Sequence, residues 1–127
     1  MELIRQFVQL GKDDATIAGG KGASLGEMTR AEIPVPPGFV ILASAFERFL
    51  EEADLNQELD TIFHSVNQKE IHTVEKASEK INNLILGATM PDDIAAQINV
   101  AFKKLGAQYV AVRSSATAED GATAAWA

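Results

Sequence analysis

Three of the chain's four prolines fall within four residues, at Pro34, Pro36 and Pro37 of "IPVPPGFVIL". Each proline fixes its own φ, lacks an amide proton and steers the residue before it away from the helical region. This stretch therefore runs extended, and no helix crosses it. Phe39 to Leu42 follows as an unbroken apolar run, which predicts a buried strand.

After that strand the pattern turns helical. Ser44-x-x-Glu47 matches a capping box and predicts a helix start at Ser44. Phe46, Phe49, Leu50 and Ala53 give that helix one apolar face, and Leu55, Leu59, Ile62, Phe63 and Val66 give a second helix another. Ile71, Val74, Ala77, Ile81, Leu84 and Ile85 keep helical spacing through a third and longer one. Pro91 suits the first turn of a fourth, with Asp92 and Asp93 beside its positive dipole end. Ile94, Ile98, Ala101, Phe102 and Leu105 line its inner face, and Gly106 ends it. "YVAVRSS" then alternates as a strand, with Val110 and Val112 on one side and Tyr109, Ala111 and Arg113 on the other. Before the prolines, "ELIRQF" has a short strand-like alternation, "KDDATIAGG" reads as a loop, and a short helix runs from Lys21 to about Arg30. The expected fold class is α/β, α+β-like, with few strands and a helical insert.

Composition narrows the function. A net charge of −7 argues against nucleic acid and anionic membranes as partners. The absence of cysteine excludes disulfides, thiol catalysis and Cys-based zinc sites. The amino-terminal residues lack the basic start and apolar core of a signal peptide, and no apolar run is long enough to span a membrane. A cytoplasmic protein is expected. The end of the sequence, "GATAAWA", closes on no element, which predicts that residues 1–127 are part of a larger domain, truncated at its carboxyl-terminal side.

Chemistry gathers in two places. "GGKGASLGEM" suggests a phosphate-binding loop, but a P-loop needs a glycine where Ala15 stands and a hydroxyl where Gly22 stands. The general physics survives: Gly20 and Gly22 permit close approach, a helix start offers amides, and Lys21 adds a point charge. An ordinary loop-to-helix junction with a solvated lysine would have the same composition. The second place is Arg113, a charge on an otherwise apolar strand, at the strand end where ligands of open α/β sheets gather. It either pairs with a carboxylate such as Glu119 or Asp120 or presents its fork to an anion, and the sequence leaves both open. Ser114, Ser115 and Thr117 offer hydroxyls to a phosphate, or serve as turn and capping residues. Glu119 and Asp120 read as solvated carboxylates, and His64 and His72 as surface histidines without neighbouring ligands.

"GGKGASLGEM", "IPVPPGFVIL" and "AVRSSATAED", in that order and spacing, resemble the amino-terminal end of the pyruvate phosphate dikinase and phosphoenolpyruvate synthase family, which includes the rifampicin phosphotransferases. The resemblance spans about Ile4 to Ala127 and implies the first part of an ATP-grasp nucleotide-binding domain. It implies that Lys21 and Arg113 reach the ATP phosphates; weaker contacts from Gly20, Gly22, Ser114, Ser115 and Thr117 are expected from their own chemistry. The implied reaction moves a phosphoryl group from ATP to a histidine on a separate domain and then to an acceptor such as pyruvate, catalysis resting on positioning and charge. Mg2+ ligands, the rest of the ATP-grasp domain, the phosphohistidine domain and the acceptor-binding domain are all expected outside this chain, so neither His64 nor His72 is the phosphorylated residue and the isolated segment catalyses nothing. "RSSATAED" is similar to the synthase and rifampicin-modifying branches, whereas "GATAAWA" departs from the Leu- or Met-Pro and "ASFAGQ" of close relatives. The alternatives are a non-catalytic module that binds an anion or partner protein, or the ATP-binding part of a rifampicin phosphotransferase.

Overall fold

A computed structural model describes residues 2–117. It contains two short strands and five α-helices, and divides into two compact units. Of the described residues, one unit comprises those up to Glu47 with those from Asp92 onward; the other is Arg48–Pro91.

In the first unit, β1 (Ile4–Gln6) and β2 (Phe39–Ile41) pair antiparallel, with Ile4 opposite Ile41 and Gln6 opposite Phe39. The Leu42 amide donates to the Leu3 carbonyl at 2.8 Å and extends the pairing by one bond. The extended conformation required by the prolines is present, but β2 is not the buried strand expected: Ile41 is half exposed and only Leu42 is fully covered. A two-stranded sheet has too few neighbours to cover both faces of such a run. The core beside it joins Leu10, Ala18 and Leu42, with Ile17 and Val40 packed against them. Burial of Leu3 and Leu10 stabilises this unit by about 1.5–3 kcal/mol for each side chain.

Helix α1 (Ala15–Arg30) starts earlier than its sequence suggests. Lys12–Asp14 form a 3₁₀ turn that leads straight into Ala15, so "KDDATIAGG" is helical and not the loop expected. The glycine break does exist, at Gly19, whose φ of 79° and ψ of 167° interrupt the helix. Farther along, Gly26 lets α1 lie against Leu10: a Cβ there would fall 2.5 Å from the Leu10 carbonyl oxygen. Arg5 on β1 is occupied within the fold, 2.9 Å from Glu2 and 3.6 Å from Asp14. Its guanidinium holds the Glu2 carboxyl below the usual carboxylate range through their hydrogen bond.

Helix α2 (Ala43–Glu52) begins one residue before the expected start. The Ser44 hydroxyl does not serve a capping box; it donates to the Glu2 carbonyl at 2.6 Å. The second unit holds the end of α2 with α3 (Asn56–His64) and α4 (Ile71–Gly87). Its buried residues are Leu55, Leu59 and Ala77. Phe63, Ile71 and Val74 were expected on inner faces but are exposed at 60%, 72% and 40%. Helical periodicity marks a face, and burial also needs an element to cover it. Back in the first unit, α5 (Asp92–Leu105) follows the sequence closely, with Asp92 and Asp93 in its first turn, Ile94 and Ala101 buried, and Gly106 at φ 67° after its end. Phe102 is the exception and lies 40% exposed.

Two helix ends use a left-handed residue that is not glycine. After α1, Glu32 has φ 61°, its amide donates to Thr29, and the Ile33 amide reaches back to Met28. After α2, Asp54 has φ 56°, its amide donates to Glu51, and the Leu55 amide reaches Leu50. Both are Schellman closures, where glycine avoids the Cβ penalty and a short aspartate tolerates it better than a glutamate. Glu32→Gly is expected to stabilise the chain by about 0.5–1 kcal/mol, and Asp54→Gly by less. Urea unfolding of the two variants against wild type checks both the sign and the order.

Candidate functional site

The two candidate segments meet in the first unit, through a hydroxyl. In an unbroken helix the Gly22 amide would donate to the Ala18 carbonyl, four residues back. The break at Gly19 opens that bond, and Ser115 fills it. Its Oγ accepts from the Gly22 amide at 3.0 Å and donates to the Ala18 carbonyl at 2.7 Å. Beside it, the Gly20 amide donates to the Ala116 carbonyl at 3.2 Å. Residues 93 positions apart are thus stitched together. A side chain inserted into the helical ladder is a recognised cause of a sharp kink.

The arrangement changes the meaning of the glycines. Gly19 is required twice over, by its positive φ and because a Cβ would meet Ser115, 2.5 Å from its carbonyl oxygen and 2.6 Å from its carbonyl carbon. The close approach that glycine permits here is made by the chain's own backbone. Gly20 and Gly22 were expected to offer open amides to a ligand; both amides are instead engaged by Ser115 and Ala116. The Ser115 hydroxyl, expected as a phosphate donor, has its one proton on Ala18.

Lys21 sits between those two anchored amides and is partly buried. Arg113 is two residues before Ser115, is exposed, and makes no ion pair with a described residue. Its suggested carboxylate partners, Glu119 and Asp120, lie outside the described residues, as does Trp126. Ser114 and Thr117 are exposed beside it. The segment before Arg113 is not the strand its alternation predicts: Tyr109 to Val112 pairs with no strand among the described residues, and Tyr109 and Val112 are 86% and 91% exposed. The structure thus brings Lys21, Ser115 and the Arg113 segment into one neighbourhood. The role of Ser115 could not be found from sequence, because a serine after an arginine reads equally as a turn residue.

The other polar features belong to the second unit. His64 and His72 have exposed side chains, each 3.8 Å from a carboxylate on its own stretch of chain, Asp60 and Glu70. This agrees with the surface reading. In the second unit a groove of about 680 Å³ runs along α3 and α4, lined by Asp54, Glu58, Thr61, Ile62, Lys80 and Leu84 among others. The residues that line it all belong to the second unit. Among the described residues no group of three or more His, Asp or Glu side chains converges. No described helix is long and apolar enough to cross a membrane.

Comparison with known proteins gives a consistent result. Residues 15–127 match the family model described as pyruvate phosphate dikinase, AMP/ATP-binding domain. The chain is 41% identical over 120 residues to a protein of Methanothermobacter thermautotrophicus named "Probable phosphoenolpyruvate synthase". It is 35% identical over 155 residues to the phosphoenolpyruvate synthase of Pyrococcus furiosus, and 37% over 130 residues to that of Helicobacter pylori. These matches cover 90%, 92% and 94% of this chain but only 18%, 19% and 16% of the relatives. The chain therefore spans less than a fifth of the length of these curated relatives.

The packing at the kink yields its own test. Gly19→Ala is expected to cost roughly 2–4 kcal/mol, since strain at positive φ and displacement of Ser115 act together. Gly87→Ala, where a Cβ meets nothing within 4 Å, is expected to change stability by less than about 0.5 kcal/mol. Urea denaturation of both variants measures the contrast.

Proposed function

Since the chain belongs to the pyruvate phosphate dikinase AMP/ATP-binding domain family, we propose that it is part of the ATP-binding region of a phosphoenolpyruvate synthase-like phosphotransferase. In this reading it forms the first part of an ATP-grasp domain that continues beyond it. The phosphoryl group passes from ATP to a histidine on another domain and then to pyruvate or a similar acceptor. Domains outside this chain choose that acceptor and carry that histidine.

Lys21 and Arg113 take the phosphates. Lys21 acts as a compact charge, and Arg113 offers a planar fork suited to two phosphate oxygens. Ser114 and Thr117 add hydroxyl donors from the same exposed segment. The observation that carries the reading is the Ser115 bridge, since it draws together the two motifs that hold these cations. Gly20 and Gly22 contribute by holding Lys21 in place more than by touching the nucleotide. Cations of this kind stabilise the charge spread over a transferring phosphoryl group, and the protein's task is chiefly positioning. Bound Mg2+ would add charge neutralisation, with its ligands outside this chain.

Titration of MgATP into the complete polypeptide tests the assignment. Lys21→Ala and Arg113→Ala are each expected to weaken binding by about 10- to 100-fold, the loss of a hydrogen bond to a charged group. Lys76→Ala, on an exposed position of α4, is expected to leave affinity unchanged. Unaltered affinity in both cation variants would overturn the site. Residues 1–127 alone are expected to transfer no phosphoryl group from labelled ATP to pyruvate.

A further inference from the structure

The Ser115 hydroxyl does more than terminate a turn. It replaces one bond of the α1 ladder, between the Ala18 carbonyl and the Gly22 amide, at 2.7 and 3.0 Å. Lys21 lies inside the span it closes, flanked by Gly20 and Gly22, whose amides are held by Ala116 and Ser115. The helix resumes after Gly19 in a direction fixed by these bonds, because Gly19 itself has the widest backbone freedom of any residue. The same Ser115 fixes the chain two residues after Arg113. One oxygen atom therefore sets the backbone on which each cation stands.

Resting on the nucleotide-binding reading above, we infer that Ser115 is a positioning residue for ATP: it acts through Lys21, and its hydroxyl serves the protein backbone without donating to phosphate. Loss of the hydroxyl leaves the Ala18 carbonyl and the Gly22 amide without partners and frees the Gly19 hinge. The backbone that carries Lys21 then samples several placements, and the nucleotide must select one of them. Threonine keeps the hydroxyl and its two bonds. Alanine removes both.

A double-mutant cycle on MgATP affinity in the complete polypeptide separates the possibilities. Ser115→Ala is expected to weaken binding about tenfold and to accelerate hydrogen exchange of the Gly22 amide, while Ser115→Thr stays within about threefold of wild type. In a Lys21→Ala background the further loss from Ser115→Ala is expected to fall below about threefold, because the group it positions is gone. Faster exchange at Gly22 with unchanged ATP affinity would overturn the inference and leave a purely structural clamp. A tenfold loss that persists in the Lys21→Ala background would also overturn it, in favour of direct contact between Ser115 and phosphate. Should Ser115→Ala not fold, Ser115→Cys, with its weaker donor, takes its place in the same cycle with the same outcomes. A wild-type polypeptide that binds no MgATP would overturn the ATP-binding reading itself, whereas a binding wild type matched by Ser115→Ala would overturn only the part given to Ser115.

Discussion

A helix interrupted at Gly19 leaves a carbonyl and an amide facing a gap, and in the partly buried setting of Ala18 and Gly22 neither group is well served by water. Each such group left without a partner would cost about 1–3 kcal/mol. A hydroxyl is the smallest side-chain group that both donates and accepts through one atom, so a single serine closes the gap from both sides. The bonding also demands close approach, and Gly19 supplies it by having no Cβ to meet the Ser115 backbone. The kink, the glycine and the serine are thus one device. Remove any of them and the other two lose their purpose.

The device matters because of what stands on it. With a net charge of −7, the chain as a whole repels a polyphosphate. That repulsion is screened beyond about 8 Å at physiological ionic strength, so the contest is decided locally. Arg5 is already turned toward Glu2 and Asp14. Arg113, exposed and without an ion pair among the described residues, has its charge at the surface of the same neighbourhood as Lys21. Two cations on backbones tied by short bonds lose less freedom on meeting a ligand than two on independent loops, and such pre-organisation lowers the cost of binding.

How much of this the sequence disclosed depended on whether the determining interaction was local. The prolines, the acidic start of α5 at Asp92 and Asp93, and its glycine stop at Gly106 were all legible, because each acts within a turn of itself. The motif segments were legible too, since Gly-Lys and Arg-Ser-Ser stand out in composition. What stayed hidden was the partner 93 residues away. Without it, the Gly19–Gly20 pair reads as a loop, and the amides of Gly20 and Gly22 read as open to a ligand. Ser44 misled for the same reason: its spacing to Glu47 fits a capping box, but the carbonyl of Glu2 lies within reach and takes its proton. Glu32 and Asp54 show the converse, where tertiary closure places non-glycine residues in a conformation that local preference disfavours.

The stretch from Tyr109 to Val112 sharpens this point and returns it to the site. Its alternation encodes two faces suited to a sheet, but a strand exists only where its amides and carbonyls meet those of a neighbour. Among the described residues no neighbour is present, and Tyr109 and Val112 lie open to solvent. Arg113 therefore draws no rigidity from a sheet on its amino-terminal side within these residues. Its placement comes from the other direction, through Ser115 and Ala116, which are bonded to the kinked helix. The residue expected to be positioned by a strand end is positioned by a serine clamp, and the lysine of the distant glycine segment is held by that same clamp.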